Sequence, residues 1–141
     1  MAIARQATDS DLGQLSEVYK DVYSKGRSIH DLLKPVSTRF VVCVENSKVV
    51  GGVAVDRIQE SDKHAVFSFR HFALLKDYRE AMTTLLREAE RLVGKGKIEI
   101  HVSELETPDL EFYMKNGYGI EGELENHYSM GEKCFVLGKT V

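Results

Sequence analysis

The sequence has no apolar run approaching the roughly 18–20 residues of a membrane-spanning helix. Its opening, MAIARQATDSDL, lacks the apolar core of a signal peptide. Both absences point to the cytoplasm and to no membrane partner. Cysteine is scarce: Cys43 and Cys134 stand alone in apolar, strand-like stretches, with no C-x-x-C spacing. They read as small core residues rather than as metal ligands or a catalytic pair. The five histidines show no ligand spacing either, so no metal is expected. No basic cluster extends beyond a few residues and the net charge is −3, which gives no nucleic-acid footprint. Internal repeats and low-complexity segments are also lacking.

What is present is an ordinary globular composition over 141 residues, 43% apolar and 29% charged, which suits one domain spanning residues 1–141. Ile3 to Ala7 alternates as a short strand. Thr8 or Asp9 then offers an N-cap to a helix whose apolar face is Leu12, Leu15, Val18, Tyr19, Val22 and Tyr23. Lys25-Gly26 ends that helix, and Ile29 to Leu33 reads as a short second one, stopped before Pro35. RFVVCV from Arg39 and Val49 to Val55 form a hairpin around the polar turn at residues 45–48. Gly51-Gly52 inside its second strand signals a bulge or a close approach to the backbone. After a polar turn at 56–64, Ala65 to Leu75 is a third strand.

From Tyr78 the apolar positions Ala81, Met82, Leu85, Leu86, Ala89, Leu92 and Val93 step by three and four, which predicts an amphipathic helix closed by Gly94. A strand turning into a helix start presents backbone N–H groups, a natural place for an anion. KIEIHV from Lys97 is a strand. Thr107 or Asp109 caps a short helix ended by Gly117. Tyr118 to Leu124 and Glu132 to Gly138 are the last strands. The order β-α-α-β-β-β-α-β-α-β-β predicts an α/β (α+β) fold: a mixed, mostly antiparallel twisted sheet of six to seven strands with about four helices. Tyr19, Tyr23, Phe40, Phe67 and Phe69 read as core.

This order of elements, with these residues, resembles the GNAT superfamily of acetyl-CoA-dependent N-acetyltransferases. The resemblance spans nearly the whole chain. It is carried by the opening IARQATDSDL, with an Arg-x-Ala-x-x-x-Asp pattern, by FVVCVENSKVVGGVAV, by FALLKDYR, and by EFYMKNGYGIEGELENHY followed by GEKCFVLGK. The last block looks like the branch that acetylates ribosomal proteins and peptide N-termini. The implied activity is transfer of acetyl from acetyl-CoA, as co-substrate, to the primary amine of a small molecule or peptide, by a monomer or homodimer. The alternative is a catalytically inactive GNAT-fold binding or regulatory protein.

The resemblance also implies site residues. Tyr113, in the Tyr-x-x-x-Gly-Tyr motif ending at Tyr118, matches the general acid to the CoA sulfur; the bland alternative is packing at a helix end. Phe72, Ala73, Leu74 and Leu75 match the strand end whose backbone holds the pantetheine. Arg79, Glu80, Ala81, Met82, Thr83 and Thr84 match the pyrophosphate loop. Relatives carry glycines in that loop, and this chain has none there. Asp77-Tyr78-Arg79-Glu80 instead has capping-box spacing, and such a cap would occupy the N–H groups a pyrophosphate needs. The family's glutamate base corresponds to Arg70, which cannot serve, and the asparagine seven residues before the tyrosine is Glu106. His71, next to Arg70, is placed by strand alternation on the opposite face and is a candidate substrate contact. Glu99 and His101 share a face of their strand. Tyr128 matches an aromatic loop position that contacts peptide substrates, and His127 beside it titrates near neutrality when unperturbed.

Overall fold

The structure is a computed structural model and describes residues 2–23, 38–60 and 63–141. The short helix expected at 29–33, and the chain around Lys25-Gly26 and Pro35, lie outside the described residues. So does the Tyr23 side chain. Seven strands form one sheet: β1 (Ile3–Gln6), β2 (Thr38–Glu45), β3 (Lys48–Glu60), β4 (Ala65–Leu74), β5 (Lys97–Ser103), β6 (Gly119–Glu125) and β7 (Lys133–Thr140). Among the described residues three α-helices accompany them: α1 (Asp9–Tyr23), α2 (Met82–Val93) and α3 (Thr107–Lys115).

The strands lie in the order β1-β2-β3-β4-β5-β7-β6. All neighbours are antiparallel except β4 and β5, which are parallel because α2 crosses between them. Helices cover both faces. On one, Leu15, Val18 and Tyr19 of α1 pack on Phe40, Val42, Val49 and Ala54. On the other, Leu85, Leu86 and Ala89 of α2, all fully buried, pack on Val41, Val53, Phe67 and Phe69. Each such leucine stabilises the fold by roughly 1.5–3 kcal/mol relative to exposure. Val22, expected on the apolar face of α1, is 38% exposed, past the edge of the sheet contact.

The first hairpin turns at Asn46 and Ser47, both at positive φ, as a two-residue connection requires. β3 runs five residues beyond the predicted end at Val55, to Glu60. Its polar tail pairs with the start of β4, Asp56 opposite Ser68 and Arg57 opposite Phe67, so these polar residues are strand rather than the turn that their composition predicts. Gly51 and Gly52 are close-approach glycines. A Cβ on Gly51 would lie 2.5 Å from the Ala73 carbonyl oxygen, and one on Gly52 would lie 2.6 Å from Leu15.

The helix predicted from Tyr78 is two pieces. Lys76–Ala81 is a 3-10 helix with Tyr78 off helical angles (φ −120°, ψ 18°), and regular α2 begins only at Met82. Neither piece has a side-chain cap, so the capping box suggested by Asp77 and Glu80 does not form. The chain enters the helix through a tight 3-10 turn, whose Met82 N–H donates to the Arg79 carbonyl. Gly94 (φ 74°) terminates α2 and Gly117 (φ 94°) follows α3.

Candidate active site

The site begins with a defect in β4. Ala54 of β3 pairs with Arg70 and Gly52 pairs with Ala73, so the single residue Val53 faces two residues, His71 and Phe72. That is a β-bulge, and its residue His71 sits at φ 54°, a conformation costing a non-glycine residue about 1–2 kcal/mol. On its other side, β4 pairs with β5 only as far as Phe69 opposite Ile100. Beyond that point the two strands diverge, and Phe72, Ala73 and Leu74 have no partner on β5. The wedge between them opens into a cavity of about 600 Å³, the size of a small-molecule site.

Four segments wall this cavity: Ser68–Phe72 of β4, Ile100–Ser103 of β5, Glu106 with Asp109 and Tyr113 of α3, and His127, Tyr128 and Glu132 of the β6–β7 connection. Tyr113 is 4% exposed. Its ring meets Phe72 edge-on at 5.7 Å and Tyr118 at 5.8 Å, which fixes its position at the head of the wedge. Tyr118 turns away instead: its hydroxyl donates to Glu90 at 2.8 Å, and burial with that carboxylate pushes its pKa far up.

The bulge cancels the alternation expected of Arg70 and His71, and both line the cavity. Arg70 forms a two-pronged ion pair with Asp56, one prong at 3.0 Å from Nη2 to Oδ1. Asp56 also accepts from the Thr38 hydroxyl at 2.5 Å. Arg70 Nη1 lies 3.3 Å from His71 Nε2. A guanidinium only donates, so Nε2 is the acceptor and its lone pair is engaged.

The opposite wall is acidic. Burial, then the nearby Asp109 and Glu132 carboxylates, raise the Glu106 pKa above the ordinary range. Glu132 moves down, because the Ser103 hydroxyl and the Ser129 hydroxyl (2.6 Å) donate to it. His101 is shifted down, first by burial and then by the neighbouring His127.

Of the residues singled out by sequence, Tyr113, His71, Tyr128 and Phe72 meet around the cavity. Ala73 and Leu74 are buried behind it, 3% exposed each, and Leu75 is half-buried. The stretch Arg79 to Thr84 lies outside the cavity. Ala81 is a core residue, Met82 packs against the core, and Glu80, Thr83 and Thr84 are exposed. Arg79 reaches across to Asp109 at 3.1 Å, tying this turn to α3. No acidic residue occupies the first turn of α2.

These residues fit an acetyl-CoA-shaped ligand in two respects. The β4 edge beyond Phe69 offers backbone groups to an amide-bearing chain, and the start of α2 with Thr83 and Thr84 offers donors to a phosphate. Asp56, Ser103 and Glu132 were missed in the sequence. Asp56 reaches the site through β3–β4 pairing, Ser103 from the end of β5 and Glu132 from the turn before β7, and none of the three has a local signal in the sequence.

No protein-family model matches the chain, and no curated protein matches it. Solved structures do. NAA60 of Arabidopsis thaliana in complex with acetyl-CoA superposes with a TM-score of 0.83 at 12% identity, covering 100% of this chain and 99% of that one. The ribosomal-protein-S18-alanine N-acetyltransferase from Escherichia coli gives 0.82 at 13% identity, over 100% of this chain and 94% of that one. The aminoglycoside 6'-N-acetyltransferase from Enterococcus faecium gives 0.79 at 18% identity, over 98% and 96%. The fold of this chain is therefore the GNAT acetyltransferase fold, with the sheet, the parallel β4–β5 pair and the crossover helix expected of it.

Proposed function

We propose that this chain is an acetyl-CoA-dependent N-acetyltransferase that moves an acetyl group directly to a primary amine. The observation that carries the reading is the wedge where β4 leaves β5, with Tyr113 held at its head. Its fold neighbours include an aminoglycoside 6'-N-acetyltransferase, a ribosomal-protein-S18-alanine N-acetyltransferase and Naa50 in complex with the bisubstrate analogue CoA-Ac-MVNAL, which supports an amine acceptor, either a small molecule or a peptide N-terminus. We place the enzyme in the cytoplasm, as a monomer or homodimer without a nucleic-acid partner. The inactive alternative has less support, because the cavity keeps a tyrosine and a carboxylic acid facing one opening.

Acetyl-CoA, when bound, supplies an activated thioester. The chain's own residues do the rest. Backbone groups of Phe72 to Leu75 orient the pantetheine, and Arg79 with the N–H groups and hydroxyls of Thr83 and Thr84 takes the pyrophosphate. The acidic wall of Glu106, Asp109 and Glu132 draws an acceptor ammonium. Glu106, its basicity raised by burial, removes the proton from that ammonium, directly or through a water. The neutral amine attacks the carbonyl, the C–N bond forms and the C–S bond breaks, and the second proton of the nitrogen leaves to water, which in turn restores the Tyr113 phenol. The Tyr113 phenol delivers a proton to the departing sulfur. The phenol O–H is the donor that meets the developing thiolate. His71 and Tyr128 contact the acceptor.

Acetylation of a peptide library with acetyl-CoA, comparing wild type with Tyr113→Phe, tests the assignment. Phenylalanine keeps the packing on Phe72, so acetyl-CoA affinity stays within about two-fold while kcat falls on the order of 100-fold or more. Equal rates would remove Tyr113 from the acid role.

A further inference from the structure

His101, His127 and Cys134 bring one metal-ligating atom each to within 4.8 Å of one another. The sheet register explains why. His101 of β5 pairs with Val136 of β7, and Cys134 lies two residues along β7 from Val136. Residues two apart point to the same face, so the imidazole and the thiol are diagonal neighbours on one side of the sheet. His127 completes the group from the turn at 126–131, where its ring lies 5.3 Å from the His101 ring. The three residues come from β5, β7 and the turn before β7, and no spacing along the chain reveals them.

We propose that these three residues form a binding site for a zinc-class divalent cation at the acceptor end of the cavity. Two imidazoles and a thiolate are a borderline-soft donor set, which selects zinc over magnesium or calcium. Zinc bonds of about 2.0–2.1 Å to nitrogen and 2.3 Å to sulfur place tetrahedral ligand atoms roughly 3.3–3.7 Å apart. The group closes by up to about 1.5 Å on binding, and His127, exposed on its turn, supplies that movement. Cys134 is fully buried and loses its proton to bind. The Tyr128 hydroxyl, already hydrogen-bonded to this sulfur, then donates to the thiolate. Glu99 lies on the same face of β5 as His101, near enough to act on it electrostatically. Burial, and then the Glu106 and Glu132 carboxylates, hold the Cys134 thiol pKa up, so the cation displaces the thiol proton as it binds, while the same carboxylates attract the cation. The fourth coordination position is left to water. Occupancy pins the 126–131 turn against β5 and narrows the mouth of the cavity beside Tyr128. The binding site itself does not depend on acetyl transfer.

Cobalt(II) titration of the full chain, purified under reducing conditions, tests this without any activity assay. The expected result is one equivalent bound, with a near-ultraviolet thiolate-to-cobalt charge-transfer band and intense tetrahedral visible bands. Zinc chloride displaces the cobalt and magnesium chloride does not. Cys134→Ser abolishes the charge-transfer band. Because a buried substitution can disturb folding, His127→Ala serves as the second variant. Its ring is exposed, so the metal-free melting temperature is unchanged while zinc affinity drops at least about ten-fold. Absence of the thiolate band at saturating cobalt, or unchanged zinc affinity in His127→Ala, overturns the proposal.

Discussion

Replacing Asp11 by asparagine tests how the N-terminal motif holds the fold. Asp11 is 5% exposed at the start of α1. Its carboxylate receives both arms of the Arg5 guanidinium, at 2.5 and 3.1 Å, together with the Thr8 N–H at 2.8 Å and the Thr8 hydroxyl at 2.9 Å. The Arg5 hydrogen bond is the main reason its pKa falls from 3.8 to about 2. A shift of nearly two units corresponds to at most about 2.4 kcal/mol between the charged and protonated forms. The Arg5 side chain is 42% exposed, so water screens part of this, leaving about 1–2 kcal/mol.

The sign follows from the depressed value. The stabilisation is complete above the unfolded-state pKa near 4 and is lost as pH falls through about 2. Urea unfolding followed by circular dichroism should therefore show Asp11→Asn less stable by about 1–2 kcal/mol at neutral pH. The gap between wild type and variant should shrink steadily from about pH 5 to about pH 2. A gap that stays constant over that range would refute the electrostatic account. A neutral-pH gap under about 0.5 kcal/mol would show that the clip contributes little.

Two further predictions concern the cavity. Asp109→Asn releases Arg79 from an ion pair whose side chains are 49% and 33% exposed, so stability changes by less than about 1 kcal/mol. Acetyl-CoA affinity, measured by calorimetry, rises about three- to ten-fold as the cation turns to the pyrophosphate and a carboxylate leaves; unchanged or weaker binding removes Arg79 from that role. Glu106→Gln lowers kcat by about 100-fold with acetyl-CoA affinity preserved, and flattens the acid limb of the pH–rate profile; an unaltered profile assigns the proton transfer elsewhere.

The legibility of these features follows their physics. The alternating and three-four periodicities located β2, β5, α1 and α2, because burial of one face is written into each segment; β6, exposed along almost all of its length, was marked instead by the glycine and loop residues around it. Arg5 and Asp11 were visible as a pattern and are joined in the structure. Features made by register were not legible. The bulge at His71 puts two consecutive side chains into one cavity, which alternation denies. The 3-10 turn before Met82 replaced a cap that the residue spacing alone favoured. Cys134 was expected as a small core residue, and it is fully buried, yet β5–β7 pairing sets it beside His101. The polar end of β3 looked like turn because Arg57, Ile58 and Gln59 are exposed, and its pairing with β4 has no local signature.

In the proposed enzyme a glycine-free turn, entered by a 3-10 helix and carrying Arg79, holds acetyl-CoA against the open edge of β4. Isothermal titration calorimetry of the wild-type chain with acetyl-CoA measures this directly. One site is expected, with Kd below about 100 μM, or roughly −5.5 kcal/mol of binding free energy. No detectable heat at millimolar ligand contradicts it.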